Sequence, residues 1–190
     1  RSVAVFGGGV VGVELGQALA RLGVRVRLFG KGGDVGPLSD PEVRAAALAA
    51  LNRDLPFDAD ADVGAIARDG DDVVVRFTEG GEEREERFDR LLAATGRKPN
   101  LDTLAIENAG LELDDAGVPH FDPLTMRAGD SHIFIAGDVS NRIPLLHEAA
   151  DDGRIAGENA AGWPEVLVHR RRAPLAIVFT DPNIAIAGKS

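Results

Sequence analysis

The hydrophobic positions of residues 1–29 change their period twice. Val3–Phe6 is a short apolar run, which favours a buried strand. From Val10 to Leu22 the apolar side chains recur at helical spacing, and Gly23 is suited to ending that helix. Val24–Phe29 then alternates apolar and basic side chains, which is typical of a second strand. The pattern predicts a right-handed βαβ unit at the start of the chain.

The next part of the chain predicts one more helix and a three-stranded β section. Either Ser39 in a capping box or Asp40 with Pro41 at the first helical position can start a helix that runs to about Asn52. The three strands are predicted at Val63–Arg68, Val73–Thr78 and Glu83–Phe88. Because the last of them is densely charged, we expect an exposed sheet edge there and no acidic binding site.

Two further apolar runs predict strands that are buried on both faces, as in parallel sheets. The first is Asp89–Thr95, which Gly96 and the following X-Pro step end. The second is His132–Ala136, which runs directly into Gly137-Asp138. An acid at the carboxyl end of a parallel strand lies where open α/β sheets bind their ligands. Asp138 is therefore a candidate binding residue.

The last quarter of the chain predicts a helix and a strand. The helix runs from His147 to about Ala161, and Trp163-Pro164 ends it. Its inward face is expected to carry Ala149, Ala150, Ile155 and Ala156. Ala173–Phe179 predicts a final strand that stops with the chain.

Three glycines supply the first candidate chemistry. Gly7, Gly9 and Gly12 have the spacing G-x-G-x-x-G, directly between the first strand and the first helix. Such glycines permit a sharp turn, a close approach of a pyrophosphate to the main chain, and tight packing of helix on strand. The helix N-terminus adds unpaired N–H groups and a positive dipole end. This stretch predicts a dinucleotide-binding site.

The end of the second strand bears on which dinucleotide binds. A dinucleotide fold usually carries an acid there, about 20 residues after the glycines, to hold the adenine ribose. Gly30 and Lys31 stand in its place. A site without the acid, followed by a cation, would tolerate a 2′-phosphate and accept NADP(H). Equally, Lys31 could be solvated while NAD(H) binds through other groups.

Composition removes several classes of function. A net charge of −10 and a pI near 4.8 give no general attraction to nucleic acid, and the run His169–Arg172 is expected to be a solvated loop. No apolar stretch reaches the ~20 residues of a membrane span and no signal peptide opens the chain, so we expect a cytoplasmic protein without membrane contact. The absence of cysteine excludes disulfides and thiolate chemistry in these residues. The three histidines other than His147 have no partners at metal-ligand spacing, and we expect them at the surface.

Four stretches, taken together, resemble the flavoprotein disulfide reductase family, and within it the dihydrolipoamide dehydrogenase branch. They are GGGVVGVELG at Gly7–Gly16, ATGRKPN at Ala94–Asn100, IFIAGDVSN at Ile133–Asn141 and LLHEAADDG at Leu145–Gly153. FTDPNIAIAG at Phe179–Gly188 also resembles the first strand of that family's dimer interface domain.

The resemblance implies an α/β fold with three parts. Residues 1–95 would be a Rossmann-like NAD(P)H-binding domain, built of βαβ units and a three-stranded β meander. Residues 96–172 would be the closing half of an FAD-binding domain, and residues 173–190 the truncated start of an interface domain. In this arrangement Gly7, Gly9 and Gly12 would cradle the pyrophosphate of NAD(P)H. The other implied cofactor contacts are Glu14 near the nicotinamide, Gly96 near the nucleotide, Gly137 and Asp138 at the flavin ribityl chain, and Leu145, Leu146 and His147 beside the isoalloxazine ring.

The family's second FAD fingerprint, its redox cysteine pair and its catalytic His-Glu pair have no match here. We therefore expect a fragment that binds nicotinamide nucleotide but neither holds FAD tightly nor turns over. The resemblance implies an intact homodimer, with a place in a dehydrogenase multienzyme complex, that passes hydride between NAD(P)H and FAD and on to a disulfide such as lipoamide. Two alternatives stay open: a soluble transhydrogenase or NADH oxidase of the same fold, and a non-catalytic nucleotide-sensing module.

Overall fold

The computed structural model describes residues 1–188, so the last two residues of the predicted interface segment lie outside it. The described chain forms two compact units. The first unit contains residues 1–96 together with the segment from Leu175 onwards, and the second contains residues 97–174. The first unit is therefore built from two separate stretches of sequence.

The first unit begins with the predicted βαβ order. Its elements are β1 (Ser2–Phe6), α1 (Val10–Arg21), β2 (Arg25–Phe29), α2 (Pro41–Leu51), β3 (Phe57–Asp58), β4 (Asp62–Asp69), β5 (Asp72–Glu79), β6 (Glu82–Phe88), β7 (Arg90–Ala93), β8 (Leu175–Val178) and β9 (Ile184–Ala187). Asp40 caps α2, accepting hydrogen bonds from the amides of Glu42 and Val43, so the structure selects Asp40 over the Ser39 capping box. Gly23 has the positive φ expected after the end of α1.

A parallel sheet in the order β3-β2-β1-β7 forms the centre of the first unit. Val5 pairs with Leu28 on one side and Leu92 on the other. Val13 of α1 packs on this sheet with Val5 and Leu28, and all three are buried. The apolar stripe of α1 therefore covers the sheet as its periodicity predicts.

The charged β section is an antiparallel meander in the order β4-β5-β6. Val75, Phe77 and Phe88 of this meander pack on Phe29, with the rings of Phe29 and Phe77 5.2 Å apart. The predicted edge strand is confirmed, because β6 lies at one side of the meander and most of its residues are exposed. Its one buried residue, Phe88, anchors the edge to the core.

The run Asp89–Thr95 is not a strand buried on both faces, as its sequence predicted. The strand β7 covers only Arg90–Ala93, and Leu91 and Leu92 are half-buried. Within residues 1–188, β7 pairs with β1 alone and forms the edge of the parallel sheet. An apolar strand at a sheet edge keeps one side uncovered, which explains its partial exposure.

The last predicted strand is shorter than expected and does not end the chain. β8 turns back into β9, and the two strands pair antiparallel, with Val178 opposite Ile184. Both of these side chains are buried in the same core as Val5 and Leu28. The hairpin thereby completes the core of the first unit.

The second unit has one long helix, α3 (Leu146–Gly162), two short 3-10 helices at Ile106–Ala109 and Gly137–Ser140, and otherwise turns and isolated bridges. The helix agrees with its prediction and buries Ile155 and Ala156, but Ala150 is exposed and the prediction for it is wrong. The predicted strand His132–Ala136 is also wrong, because the segment makes only an isolated bridge from Phe134 to Arg127. A buried parallel strand needs neighbours on both sides, and residues 97–174 supply none.

Candidate functional site

The turn between β1 and α1 requires glycine at two of the three fingerprint positions. Gly7 has φ +113°, and a Cβ built on it would lie 2.2 Å from the carbonyl oxygen of Ala94. A Cβ on Gly12 would lie 1.8 Å from the carbonyl oxygen of Gly7. Side chains at either position would collide with backbone, so these glycines let the helix start directly against the sheet.

Gly9 differs from the other two, because a Cβ on it would meet nothing within 4 Å. It caps the N-terminus of α1 without a side-chain hydrogen bond. Open space therefore lies in front of the first-turn amides, which carry the positive end of the helix dipole. This geometry suits a phosphate group, and the residues present fit the pyrophosphate of a dinucleotide.

A glycine-rich loop, residues 30–38, packs against the same turn. The amide of Gly36 donates to the carbonyl oxygen of Gly8 at 2.7 Å. A Cβ on Gly8 would lie 2.3 Å from the carbonyl oxygen of Asp34, so loop and turn touch backbone to backbone. The loop forms one wall of the space before α1. The motif at Gly7–Gly16 includes Gly8, but the sequence did not predict its contact with the loop.

The end of β2 has a structural reason to lack an acidic side chain. A Cβ on Gly30 would lie 2.5 Å from the carbonyl oxygen of Ala59, so no side chain fits there. Lys31 is exposed. The next amide, that of Gly32, donates to Asp60 Oδ1 at 2.7 Å, which fixes the direction of the chain after Lys31. The candidate ribose site thus presents a cation and no carboxylate from its own strand.

Glu14 lies on α1 and is half-buried. Its Oε1 accepts a hydrogen bond from the amide of Phe179 at 2.8 Å. One turn further along, Gln17 donates to the carbonyl oxygen of Asp181 and accepts from its amide, both at 2.8 Å. These contacts hold the turn of the β8–β9 hairpin against α1, and sequence reasoning missed them. The available signal was a polar stripe, with Arg21 as its next member, on an otherwise apolar helix.

Arg21 extends the same stripe. It pairs with Asp181 at 2.8 Å and with Asp54 at 3.0 Å. The hydrogen bond to Asp181 is the main reason that the pKa of the Arg21 guanidinium lies above its usual value. The cation therefore ties the hairpin turn and the end of α2 to one helix.

Gly96 closes the first unit, and the second candidate site lies in the second unit. Gly96 is exposed with φ +107°. In the second unit Gly137 has φ +78° and begins a 3-10 turn that carries Asp138. The side chain of Asp138 is 55% exposed and lies 3.5 Å from Arg97. An accessible carboxylate on a glycine-initiated turn can accept hydrogen bonds from hydroxyl groups of a ligand.

The start of α3 is open to solvent. Leu145 is its N-cap residue and makes no side-chain capping bond, Leu146 is 89% exposed, and His147 is exposed. The helix therefore offers an apolar surface and the positive end of its dipole at the same place. Gly137 lies beside the first turn of α3, because a Cβ built on it would lie 3.4 Å from the Cβ of Ala149. The start of α3 and the turn that carries Asp138 are therefore neighbours.

A buried ionic cluster in the second unit was not predicted. Glu148 and Asp152 lie on the inward face of α3, and the side chain of Arg171 is only 12% exposed against them. The expectation of a solvated run at His169–Arg172 is therefore wrong for Arg171, although Arg170 and Arg172 are exposed. The signal was the i, i+4 spacing of Glu148 and Asp152, which puts two carboxylates on one face of α3 together with Ile155 and Ala156.

Two negative observations apply to residues 1–188. No group of histidine, aspartate or glutamate side chains in the described chain is arranged to hold a metal ion. None of the described helices combines the length and the apolarity that crossing a bilayer needs.

Comparison with known proteins gives consistent matches. The family model for pyridine nucleotide-disulphide oxidoreductases matches residues 1–153. A dihydrolipoyl dehydrogenase of Haloferax volcanii is 39% identical over 97% of this chain and 39% of its own length. A mercuric reductase of Shigella flexneri is 35% identical over the whole chain and 33% of its own length. The crystal structure of LpdA from Mycobacterium tuberculosis superposes with a TM-score of 0.79 at 30% identity, covering 97% of this chain and 39% of that one. The chain thus spans between one third and two fifths of the length of these relatives.

Proposed function

Since the chain belongs to the pyridine nucleotide-disulphide oxidoreductase family, we propose that it is the nicotinamide-nucleotide-binding part, with a segment of the flavin-binding part, of an FAD-dependent oxidoreductase. In the full-length protein, hydride passes between NAD(P)H and the flavin, and electrons pass on to a disulfide or dithiol such as lipoamide. Residues 1–95 form the nucleotide domain, residues 96–172 belong to the flavin domain, and the chain from residue 173 starts the interface domain of a homodimer. We place the full-length protein in the cytoplasm.

The observation that carries the proposal is the glycine turn before α1. Backbone lies where side chains would be at Gly7 and Gly12, whereas the space beside Gly9 is open. A pyrophosphate can therefore reach the first-turn amides of α1 without displacing protein atoms. Glu14 lies on the same helix, where its Oε1 accepts a hydrogen bond from the amide of Phe179. In this proposal Glu14 would lie near the nicotinamide.

The second unit supports the flavin part of the proposal. Asp138 presents an accessible carboxylate for the ribityl hydroxyls, and the uncapped N-terminus of α3 directs its positive end outward. FAD, when bound, supplies the two-electron acceptor for hydride. Leu145, Leu146 and His147 line the start of α3 and would shield that face from water. Gly96 lies on the strand-to-turn segment that leads into this unit.

An apolar groove in the second unit suits a larger flavin domain. The groove has a volume of about 460 Å³ and runs beside the segment predicted as a strand. Leu104, Ile106, Ile133 and Ile135 are among its lining residues. Further secondary structure of the full-length protein would cover these side chains and complete the sheet around residues 132–136.

The wall of the nucleotide site favours acceptance of NADP(H) beside NAD(H). Packing excludes a side chain at Gly30, and Lys31, the one cation in the sequence of residues 30–38, is exposed. A Lys31→Ala variant is expected to weaken NADPH binding more than NADH binding. Comparison of the two dissociation constants in the wild-type protein tests the idea directly, and NADH binding at least tenfold tighter than NADPH would refute it.

Gly9→Ala tests the proposed pyrophosphate site at the start of α1. Gly9 has φ −73°, which alanine adopts freely, and its Cβ would meet no protein atom, so the fold should persist. The methyl group would occupy the space through which the pyrophosphate approaches. We expect the dissociation constant of NAD(P)H, measured by fluorescence titration, to rise at least about tenfold. Gly157→Ala on α3, also without neighbours within 4 Å, is the control and should bind as the wild type. Unchanged affinity of Gly9→Ala would contradict the proposed site.

The electron acceptor decides between the proposed function and its alternatives. Relatives over these residues include dihydrolipoyl dehydrogenases and a mercuric reductase, so this part of the chain is shared by enzymes with different names and substrates. Assays of the full-length protein with lipoamide, with oxygen and with a second nicotinamide nucleotide separate a disulfide reductase from an oxidase or a transhydrogenase. A full-length protein that never binds flavin would favour the nucleotide-sensing module. Co-purification with a dehydrogenase multienzyme complex would identify the partner.

A further inference from the structure

A buried cluster of ionised side chains joins α3 to the segment that follows it. Arg171 Nη2 lies 2.6 Å from Asp152 Oδ1 and 3.0 Å from Glu148 Oε2. Arg171 Nη1 donates to the carbonyl oxygen of Pro123 at 3.2 Å, so the guanidinium is tied at three points. Arg142 adds a second cation, 3.1 Å from Glu148 Oε2. The side chains of Asp152 and Glu148 are only 3% and 9% exposed.

Such a cluster is a weak source of stability. Moving charged groups out of water is costly, and well-packed apolar side chains of similar size often stabilise a protein as well or better. Burial opposes the charge on Arg171, but its bonds to Asp152 and Glu148 outweigh that effect and raise the pKa of the guanidinium. Unlike apolar residues, the cluster gives the Asp152 carboxylate a preferred orientation, because the guanidinium of Arg171 attracts its Oδ1 at 2.6 Å.

One of those oxygens reaches the candidate flavin site. Asp152 Oδ2 accepts a hydrogen bond from the amide of Gly137 at 3.2 Å, whereas Oδ1 of the same carboxylate faces Arg171. Gly137 has φ +78°, and a Cβ on it would lie 3.4 Å from the Cβ of Ala149. The backbone at Gly137 is thus held from the helix side by one hydrogen bond, and the next residue is Asp138.

We propose that Arg171, acting through Asp152, is a positioning residue that holds the Gly137–Asp138 turn in the geometry that flavin binding needs. This inference rests on the proposed function, in which Asp138 binds the flavin. Without Arg171, Asp152 would be a buried carboxylate with its main partner removed. It would turn toward water, its hydrogen bond to the Gly137 amide would weaken, and the turn that carries Asp138 would lose this support. Arg171 would influence FAD binding without touching FAD.

Hydrogen exchange and FAD affinity in the full-length protein test the inference. In Arg171→Met apoprotein we expect the Gly137 amide to exchange about tenfold faster, because a hydrogen bond to a charged acceptor is weakened. The amides of residues 155–162 in α3 should keep their wild-type exchange rates and serve as the measure of general stability. Titration of the same apoprotein with FAD should give an about tenfold higher dissociation constant. Arg172→Met is the matched control, since Arg172 is exposed in the same run, and it should change neither readout.

The outcomes are distinct. Wild-type exchange at Gly137 in folded Arg171→Met overturns the inference, whatever happens to the melting temperature. If Arg171→Met does not fold, Arg171→Gln takes its place, since glutamine keeps donors but loses the charge, and the same two results decide. In the double variant Arg171→Met with Asp152→Ala, the Gly137 amide should exchange no faster than in Asp152→Ala alone. Both substitutions act through the same hydrogen bond, from the Gly137 amide to Asp152. Additive effects would overturn the route through Asp152.

Asp138→Ala separates this inference from the proposed function. If Asp138 binds the flavin, this variant should lose FAD affinity while Gly137 stays protected in the apoprotein. If Asp138→Ala binds FAD as the wild type does, the proposed function of Asp138 fails. The exchange at Gly137 in Arg171→Met then still decides whether Arg171 positions the turn.

Discussion

Gly12→Ala should destabilise the chain although alanine is the better helix former. The new Cβ would lie 1.8 Å from the carbonyl oxygen of Gly7, more than 1 Å short of the 3.0 Å below which Cβ contacts essentially never occur. Gly7 cannot move freely, because its amide donates to the carbonyl oxygen of Phe29 and the backbone of Ala94 lies where a Gly7 side chain would be. Overpacking costs about 1–3 kcal/mol, and we expect the upper end here because backbone must shift. Helix propensity returns about 1 kcal/mol, which leaves a net loss of about 2 kcal/mol.

Gly16→Ala provides the comparison within the same helix. A Cβ on Gly16 would meet the ends of Leu28 and Leu55 at 3.3 and 3.4 Å, and leucine methyls can rotate away. Its free energy of unfolding should stay within about 1 kcal/mol of the wild type. In thermal unfolding followed by circular dichroism, Gly12→Ala should melt about 4–8 °C lower than the wild type. If Gly12→Ala proves as stable as Gly16→Ala, the steric explanation of the fingerprint is wrong.

Three further predictions concern other parts of the first unit. Asp40→Ala should lower the free energy of unfolding by about 1 kcal/mol in urea titrations because it removes the cap of α2, whereas Ser39→Ala should have no effect. Val178→Ala should cost about 2 kcal/mol in the same assay, since Val178 is fully buried, while the control Ile177→Ala, 40% exposed, should cost less than half as much. The hydrogen bond from the Ser2 amide lowers the pKa of Asp89, so its contribution is present above about pH 4 and is lost as the pH falls through the lowered pKa. Asp89→Asn should therefore lose less stability than the wild type between about pH 4 and pH 2, and equal slopes would contradict this.

The parts of the fold that the sequence predicts are those specified by local pattern. The period of the apolar residues in α1 and the cap and proline at the start of α2 depend on neighbours within a few positions. The segment His132–Ala136 has an equally clear apolar pattern, yet it forms no strand. A parallel strand is defined by its partners, and pattern alone does not show whether they are present.

The candidate site also has residues that the local sequence pattern predicts and residues that it does not. The glycines of the turn are visible because their spacing is short and their chemistry is specific to backbone approach. Arg171 was expected to be solvated because basic runs usually are. Its partners Glu148 and Asp152 lie some twenty positions earlier in the sequence, and only folding brings them together. The backbone of Ala59 packs against Gly30 and leaves no room for an acidic side chain at the end of β2. This too is a contact between segments that are separate in the sequence.

The divided sequence of the first unit has a consequence for biosynthesis on the ribosome. Its core includes Val178 and Ile184, about eighty positions after residue 96. At a synthesis rate of about 5–20 residues per second, the nascent N-terminal stretch waits roughly 4–16 s before the strands that finish its core emerge. During that interval the surface of α1 that later contacts the β8–β9 hairpin is uncovered. Glu14 and Gln17 then lack their hydrogen bonds to the hairpin turn.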